Sequence, residues 1–365
     1  MNQKTILILG GYGGTGKHVC RWLLKATDVA IIIAGRNMQK VDTFKKQLTN
    51  EFPSKNISSI FADASDYESL IQAFQNIDMV IDATTAIGFV KNIAQAALEA
   101  KVDYLDYHFE QKVPADLETF RKQIENERHV FITQAGFHPG LPAVFVRYGA
   151  QYFDRYDKAT IAMAMNARFE RAEQATEIIP LLTESKTEIC KNGSWRKATY
   201  KDTVNVEMGK SFGKMKLFPI QMEEIKQTQK MFNLKETGAY VSGFNWFVDN
   251  LILPLIILSQ KIKKGFAVGL LLKLFIWGVN NFSSSNQGVV FLNEAEGMKD
   301  GKKLKVRIVA ECNDAYLFTA IPIVACIKQY LAGELRQGLS MMGHVVDEKR
   351  LISDMEKMGI NISIK

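Results

Sequence analysis

Short apolar runs recur along the first part of the chain, and between them apolar positions return at helical spacing. Thr5 to Leu9 is such a run, with Ile6, Leu7, Ile8 and Leu9 in succession, which reads as a buried strand. Val19, Leu23 and Leu24 then fall on one face of a helix. Residues 28–37 (DVAIIIAGRN) predict a second strand, Met38 to Phe52 a helix ended by Pro53, and Ile57 to Ala62 a third strand. Residues 78–85 (DMVIDATT), 102–108 (VDYLDYH) and 129–142 (HVFITQAGFHPGLP) hold a fourth, fifth and sixth. Strands alternating with helices in this way imply a parallel sheet with helices on both faces. From about Lys158 the rhythm changes. Residues 158–166 (KATIAMAMN) alternate as a strand, and 171–185 (RAEQATEIIPLLTES) read as a helix interrupted by Pro180. Asn192-Gly193 and Asp300-Gly301 each lie between two strand-like runs, a hairpin signal. Residues 315–335 form an apolar helix. The fold class expected is α/β: a doubly wound parallel sheet over 1–140, then a second α+β domain over 141–314 on a mixed or antiparallel sheet. A C-terminal helical segment, 315–365, is expected to pack back near the first domain.

The break between the first strand and the first helix, GGYGGTG at 10–16, is where chemistry enters. Gly11, Gly13 and Gly16 fit G-x-G-x-x-G, and the motif closes a strand and opens a helix as a dinucleotide-binding loop does. Gly11 permits the tight turn, Gly13 lets a pyrophosphate approach the backbone, and Gly16 lets helix and strand pack closely. Tyr12, Gly14 and Thr15 complete the loop. The helix start offers N–H groups and a partial positive charge to the phosphates. An ordinary turn in an α/β domain is the plainer alternative. The second strand ends Ala34-Gly35-Arg36-Asn37, with no carboxylate to grip a ribose hydroxyl and a planar cation in its place. That favours NADP(H) over NAD(H), against the alternative of a solvated arginine. Asp63 and Ala64 follow the third strand, where Asp63 would meet the adenine, and Ser65 or Asp66 equally caps the next helix. Thr84 and Thr85 lie at the end of the fourth strand, where a cofactor would pass.

Composition narrows the classes. Over 365 residues, 47% hydrophobic and 23% charged content describe a folded globular chain long enough for two domains. A net charge of +7 suits an anionic ligand or an anionic membrane surface. The basic residues are scattered and no nucleic-acid motif accompanies them, so no nucleic-acid partner is expected. Cys20, Cys190, Cys312 and Cys326 have neither C-x-x-C nor zinc-ligand spacing, so no metal is expected. Reduced cysteines and a leading apolar run too short for a signal peptide read as cytoplasmic.

These motifs together resemble the saccharopine dehydrogenase-like NADP-dependent oxidoreductases. The resemblance rests, in order, on GGYGGTGKHV, AGRN, DASD, MVIDATT, AALEAKVDYLDYH and AGFHPGLPAV, and on YLAGELRQGLSMMG and DEKRLISDMEKMGI near the end. It implies a Rossmann domain, a second α/β domain carrying substrate and dimer surfaces, and hydride transfer to or from a C=N, C=O or C=C bond. By the same resemblance Gly11, Gly13 and Gly16 form the phosphate loop, Arg36 and Asn37 contact the 2′-phosphate, and Asp63 contacts the adenine. Thr84 and Thr85 lie near the ribose and nicotinamide. A homodimer is expected with it.

Two histidines fall beyond the carboxyl ends of strands, where ligands of open α/β sheets sit: His108 after the fifth and His138 after the sixth. A histidine with a pKa near neutrality suits the proton step that accompanies hydride transfer. His138, in GFHPG, is the first choice as the catalytic residue, and His108, with Tyr107 and Glu110, the second. Residues 245–279 replace the cation cluster that an amino-acid substrate would need with NWFVDNLILPLIILSQKIKKGFAVGLLLKLFIWGV, which favours an apolar small-molecule substrate or an interface role. Its apolar runs are too short to span a bilayer. Burial at an interface is the expectation, and peripheral membrane contact through Trp246, Trp277, Lys261, Lys263 and Lys264 is the alternative. A non-catalytic NADP-binding scaffold on a membrane or lipid surface is the second functional reading.

Overall fold

The computed structural model describes residues 3–166, 187–199, 201–263, 266–283 and 288–365, and the helix expected over 171–185 lies outside them. Two compact units divide the chain: 1–148 with 316–360, and 149–315 with 361–365.

The first unit carries a parallel sheet of seven strands. In chain order these are β1 (Thr5–Leu9), β2 (Ala30–Gly35), β3 (Ile57–Phe61), β4 (Met79–Asp82), β5 (Asp103–Asp106), β6 (Val130–Thr133) and, much later, β15 (Gly338–Met341). Across the sheet they run β15-β6-β5-β4-β1-β2-β3. The apolar run that opens the chain is its centre: Ile6 to Leu9 are at most 1% exposed, and β1 pairs with β2 on one side and β4 on the other. Strand order reverses between β1 and β4, so a crevice opens beyond their carboxyl ends. Helices α1 (Gly14–Ala26), α2 (Met38–Glu51), α3 (Tyr67–Ala73) and α4 (Val90–Glu99) follow the first four strands. Val19, Cys20, Leu23 and Leu24 are the buried face of α1, at the spacing the sequence showed. Residues after 315 are not helical throughout: the helix Ala315–Leu331 leads into β15, which pairs with β6 in this sheet.

The second unit is built on a nine-stranded mixed sheet, the expected α+β arrangement. Its strands are β7 (Arg155–Asn166), β8 (Glu188–Lys191), β9 (Ser194–Lys197), β10 (Val204–Glu207), β11 (Lys214–Ile220), β12 (Glu236–Ser242), β13 (Gly288–Lys299), β14 (Lys302–Cys312) and β16 (Asn361–Ile364). β7 and β12 are parallel, while β13 runs antiparallel to both β7 and β14. Both dipeptides read as hairpin turns adopt the left-handed backbone such turns need: Asn192 and Gly193 at φ 51° and 77°, Asp300 and Gly301 at φ 50° and 72°.

Between β12 and β13 the apolar stretch folds into a helical hairpin, with a π-helical turn Val248–Ile252 and helices Leu253–Ile262 and Val268–Phe282. Burial is confined to one face. Val248, Ile252 and Ile256 pack on Leu271, Leu272, Phe275 and Val279, in a cluster made of this segment alone. The opposite face, including Trp246, Leu258, Ile262, Leu270 and Trp277, is exposed on this chain. No helix among the described residues is long and apolar enough to cross a membrane.

Candidate active site

The glycine turn is tighter than its spacing suggested. Gly10, not Gly11, has the left-handed backbone, with φ +83°, and a Cβ on it would lie 2.7 Å from the Ala83 carbonyl oxygen. A Cβ on Gly16 would lie 2.7 Å from the Gly10 oxygen and 2.9 Å from the Gly11 Cα, so only glycine lets α1 start against this turn. At Gly13 a Cβ would meet nothing nearer than the Gly10 oxygen at 3.2 Å. That contact is tight but single, with no other atom within 4 Å, so the rest of the space above Gly13 is left to a ligand. Gly13 caps α1 with no side-chain hydrogen bond, and the first turn holds no acidic residue. The N–H groups of Gly14, Thr15 and Gly16 have no acceptor inside the helix by position, so a diphosphate suits them in charge and in hydrogen bonding. The Tyr316 ring lies over Gly14, a neighbour 300 residues away that no local pattern announces.

A cleft of about 220 Å³ joins this turn to the ends of β2, β3 and β4, and brings together Tyr12, Gly13, Arg36, Asp63, Ala64, Thr84 and Thr85. Arg36 is exposed at its rim and makes no ion pair among the described residues. Tyr12 also lines an adjoining cleft with Lys17 and Lys40, so the ground beside Arg36 is cationic. Asn37 Oδ1 accepts from the Lys40 N–H at 3.0 Å and caps α2. Asp63 Oδ1 accepts from the Ser65 N–H and Oγ, and Asp66 caps α3. Burial alone would raise the Asp63 pKa, but these hydrogen bonds and the Arg36 charge hold it below the ordinary carboxylate value.

Thr84 is held from behind. Asp82 Oδ1 accepts from its N–H at 3.0 Å and its Oγ1 at 2.8 Å, and Thr84 Oγ1 accepts in turn from the Ala86 N–H. Asp82 is wholly buried, and its Oδ2 lies 2.8 Å from His108 Nε2. His108 is also buried, and its backbone N–H donates to Asp106 Oδ1. Burial works to lower the imidazole pKa, but the charges of Asp82, Asp106 and Glu110 and the hydrogen bond to Asp82 outweigh it and raise the value to about 9. His108 is thus a cation at neutral pH, committed to Asp82. Asp106, buried beside it, is raised above the ordinary carboxylate range, chiefly by burial.

His138 is in the opposite state. Its ring packs against Phe137 and Phe109, with centroids 3.9 and 5.4 Å away, and its Nδ1 is buried without a hydrogen-bond partner. Burial lowers its pKa to about 4, not the near-neutral value expected of it, so the ring is uncharged at pH 7. Neither histidine lines the cofactor cleft itself. A larger open concavity of about 680 Å³, beside Gln95, Lys101 and His129, lies at the amino ends of β5 and β6, away from the end where such sheets bind ligands.

Residues 6–132 match the model of the saccharopine dehydrogenase NADP binding domain. A carboxynorspermidine synthase from Vibrio cholerae is 24% identical over 89% of this chain and 88% of its own. Among solved structures, saccharopine dehydrogenase (L-Glu forming) from Saccharomyces cerevisiae superposes with a TM-score of 0.71 over 99% of both chains at 13% identity. A DAP dehydrogenase from C. glutamicum does so with a TM-score of 0.50 over 98% of this chain and 100% of its own, at 12% identity.

Proposed function

We propose, from the match of residues 6–132 to the saccharopine dehydrogenase NADP binding domain and the likeness of the chain to a carboxynorspermidine synthase and to the saccharopine dehydrogenase fold, an NADP(H)-dependent oxidoreductase that moves a hydride to or from a C=N, C=O or C=C bond. The C=N bond stands first, because the relative matched along nearly its whole length is named for making an amine, carboxynorspermidine. The observation that carries the reading is the single cleft that joins the open space over Gly13 to Arg36, Asp63 and Thr84.

The nicotinamide, when bound, gives or takes the hydride. The start of α1 holds the diphosphate, with Gly13 leaving room for it. Arg36, aided by Lys17 and Lys40, holds the 2′-phosphate. Asp63 retains one carboxylate oxygen for the adenine amino group, since the hydrogen bonds it receives from Ser65 go to Oδ1. His108 acts as a positioning residue: through Asp82 it fixes Thr84, and through Thr84 the backbone at Ala86. His138 is neutral and burial disfavours its protonated form, so its ring is suited to a hydrogen bond with the substrate and not to taking up or delivering a proton at neutral pH.

The test is cofactor preference. A charge-assisted contact to phosphate contributes about 1.5–3 kcal/mol, so NADPH should bind at least about tenfold more tightly than NADH. Arg36→Ala should erase most of that difference in a fluorescence titration. Equal affinities in the unmodified protein would overturn the assignment. Turnover is tested by NADPH oxidation across imine, ketone and enone panels, and binding without oxidation throughout would favour a scaffold.

A further inference from the structure

We propose that the helical hairpin between β12 and β13 is a docking surface for an anionic lipid bilayer, seated in the headgroup plane. The hairpin is held together without its outer face. Its two arms bury their inner residues against each other, and its base is tied by Asn245. Asn245 Nδ2 donates to the Gly278 carbonyl at 3.1 Å and to Ser283 Oγ at 3.0 Å, while its Oδ1 accepts from the Val248 N–H. What the hairpin displays outward is apolar as well. Ile262 is 68% exposed, Leu270 64%, Trp246 67% and Leu258 54%. A continuous display of large apolar side chains is what soluble monomers avoid outside binding surfaces.

The charge pattern selects the occupant. From Asn250 to Asn293 the sequence holds Lys261, Lys263, Lys264 and Lys273 and no Asp or Glu. A second copy of this chain would meet the patch with itself in a two-fold interface, in which the lysines of 250–293 would find no carboxylate from the same stretch of the other copy, and Asp249 at the hairpin base already accepts from the Phe244 N–H. An anionic headgroup layer supplies the missing charge to the exposed Lys263 and Lys273 while its acyl boundary takes the exposed leucines and Ile262. Tryptophans 246 and 277, apolar bodies with a polar N–H, suit the same boundary. Helices of 10 and 15 residues reach roughly 15 and 22 Å, short of a bilayer core, so the hairpin lies on the membrane and does not cross it.

The experiment uses the full chain in vesicle sedimentation, with phosphatidylcholine alone and phosphatidylcholine mixed with phosphatidylglycerol. Binding is expected to the mixed vesicles, to weaken with salt, and to be much lower on the neutral ones. Each surface lysine is worth about fivefold, so Lys263→Glu with Lys273→Glu should lower binding by at least about 25-fold. Ile262→Asp with Leu270→Asp should abolish it. Both changes fall on exposed positions, so the thermal melt and NADPH binding should be unaltered, which separates this result from failure to fold. No sedimentation with either vesicle, equal binding to both, or binding indifferent to the charge reversals would overturn the proposal. So would a dimer in sedimentation velocity that Leu270→Asp dissociates, which would make the face an interface between copies.

Discussion

Removing the imidazolium behind Thr84 tests the central electrostatic claim. His108 and Asp82 lie 2.8 Å apart, 5% and 0% exposed. In the unfolded chain the histidine titrates at its ordinary value of 6.5, and in the folded chain at about 9. That gap corresponds to about 3 kcal/mol at 1.36 kcal/mol per unit. Because the folded pKa is the higher one, the stabilisation is complete below pH 6.5 and is lost as pH rises through about 9. His108→Asn keeps a hydrogen-bond donor but no charge, and leaves Asp82 buried without its cation. Breaking a buried pair this way costs roughly 3–5 kcal/mol, so the variant should be less stable by about that amount at pH 6.5. Its stability should then vary little across the alkaline range where the unmodified protein weakens. Urea unfolding reports this through Trp22, the tryptophan of the first unit, with Trp195, Trp246 and Trp277 changed to Phe. Parallel stability curves for the two proteins from pH 6.5 upward, or an NMR titration placing the His108 ring near 6.5, would refute the reasoning.

Gly13→Val should abolish NADPH binding in calorimetry with only a small loss in the melt, since its Cβ meets one backbone oxygen at 3.2 Å and the rest of its side chain enters the space over the turn. Gly16→Val should lower the melting temperature as well, because its Cβ falls on the Gly10 carbonyl. For His138 the folded pKa of about 4 lies below the ordinary value of 6.5, so its contribution to stability is present above pH 6.5 and lost as pH falls through about 4. The pH profile of kcat/KM should accordingly show no His138 ionisation near neutrality, and an inflection near 6.5 that His138→Asn removes would contradict its burial.

The first sheet was legible because its strands are buried on both faces and so read as unbroken apolar runs, of which Ile6 to Leu9 is the plainest. The two hairpin turns were legible for a local reason too: Asn-Gly and Asp-Gly accept the left-handed backbone that such turns require. β15 and β16 were not. Each is only four residues long and follows helical sequence, and each gains its identity by pairing with a distant strand, β6 and β14 respectively. The hairpin of the second unit was half legible. Its apolar content was plain, but Leu253 to Leu258 is an unbroken apolar run, so periodicity alone did not divide the inner face of that helix from its outer one.

The site shows the same division between local and tertiary information. Gly10 was passed over because three glycines already satisfied the motif, and only the approach of Ala83 from β4 reveals which residue must turn. The two histidines were separated by contacts that spacing does not carry. Asp82 and Asp106 are the last residues of β4 and β5, and each is visible in the sequence as an acid ending an apolar run. That they matter follows only once the strands are known to be parallel neighbours in register, which sets Asp82 directly beside Asp106. Two acids buried side by side favour a cation beside them, and His108, two residues beyond β5, sets its ring on Asp82 and its backbone N–H on Asp106. His138 follows β6, whose last residue is Thr133, not an acid, and its ring rests against Phe137 and Phe109. The same side chain beyond the ends of adjacent strands is thus charged in one place and neutral in the other, because the ring of His108 meets the Asp82 carboxylate of β4 while the ring of His138 meets aromatic side chains and is governed by burial.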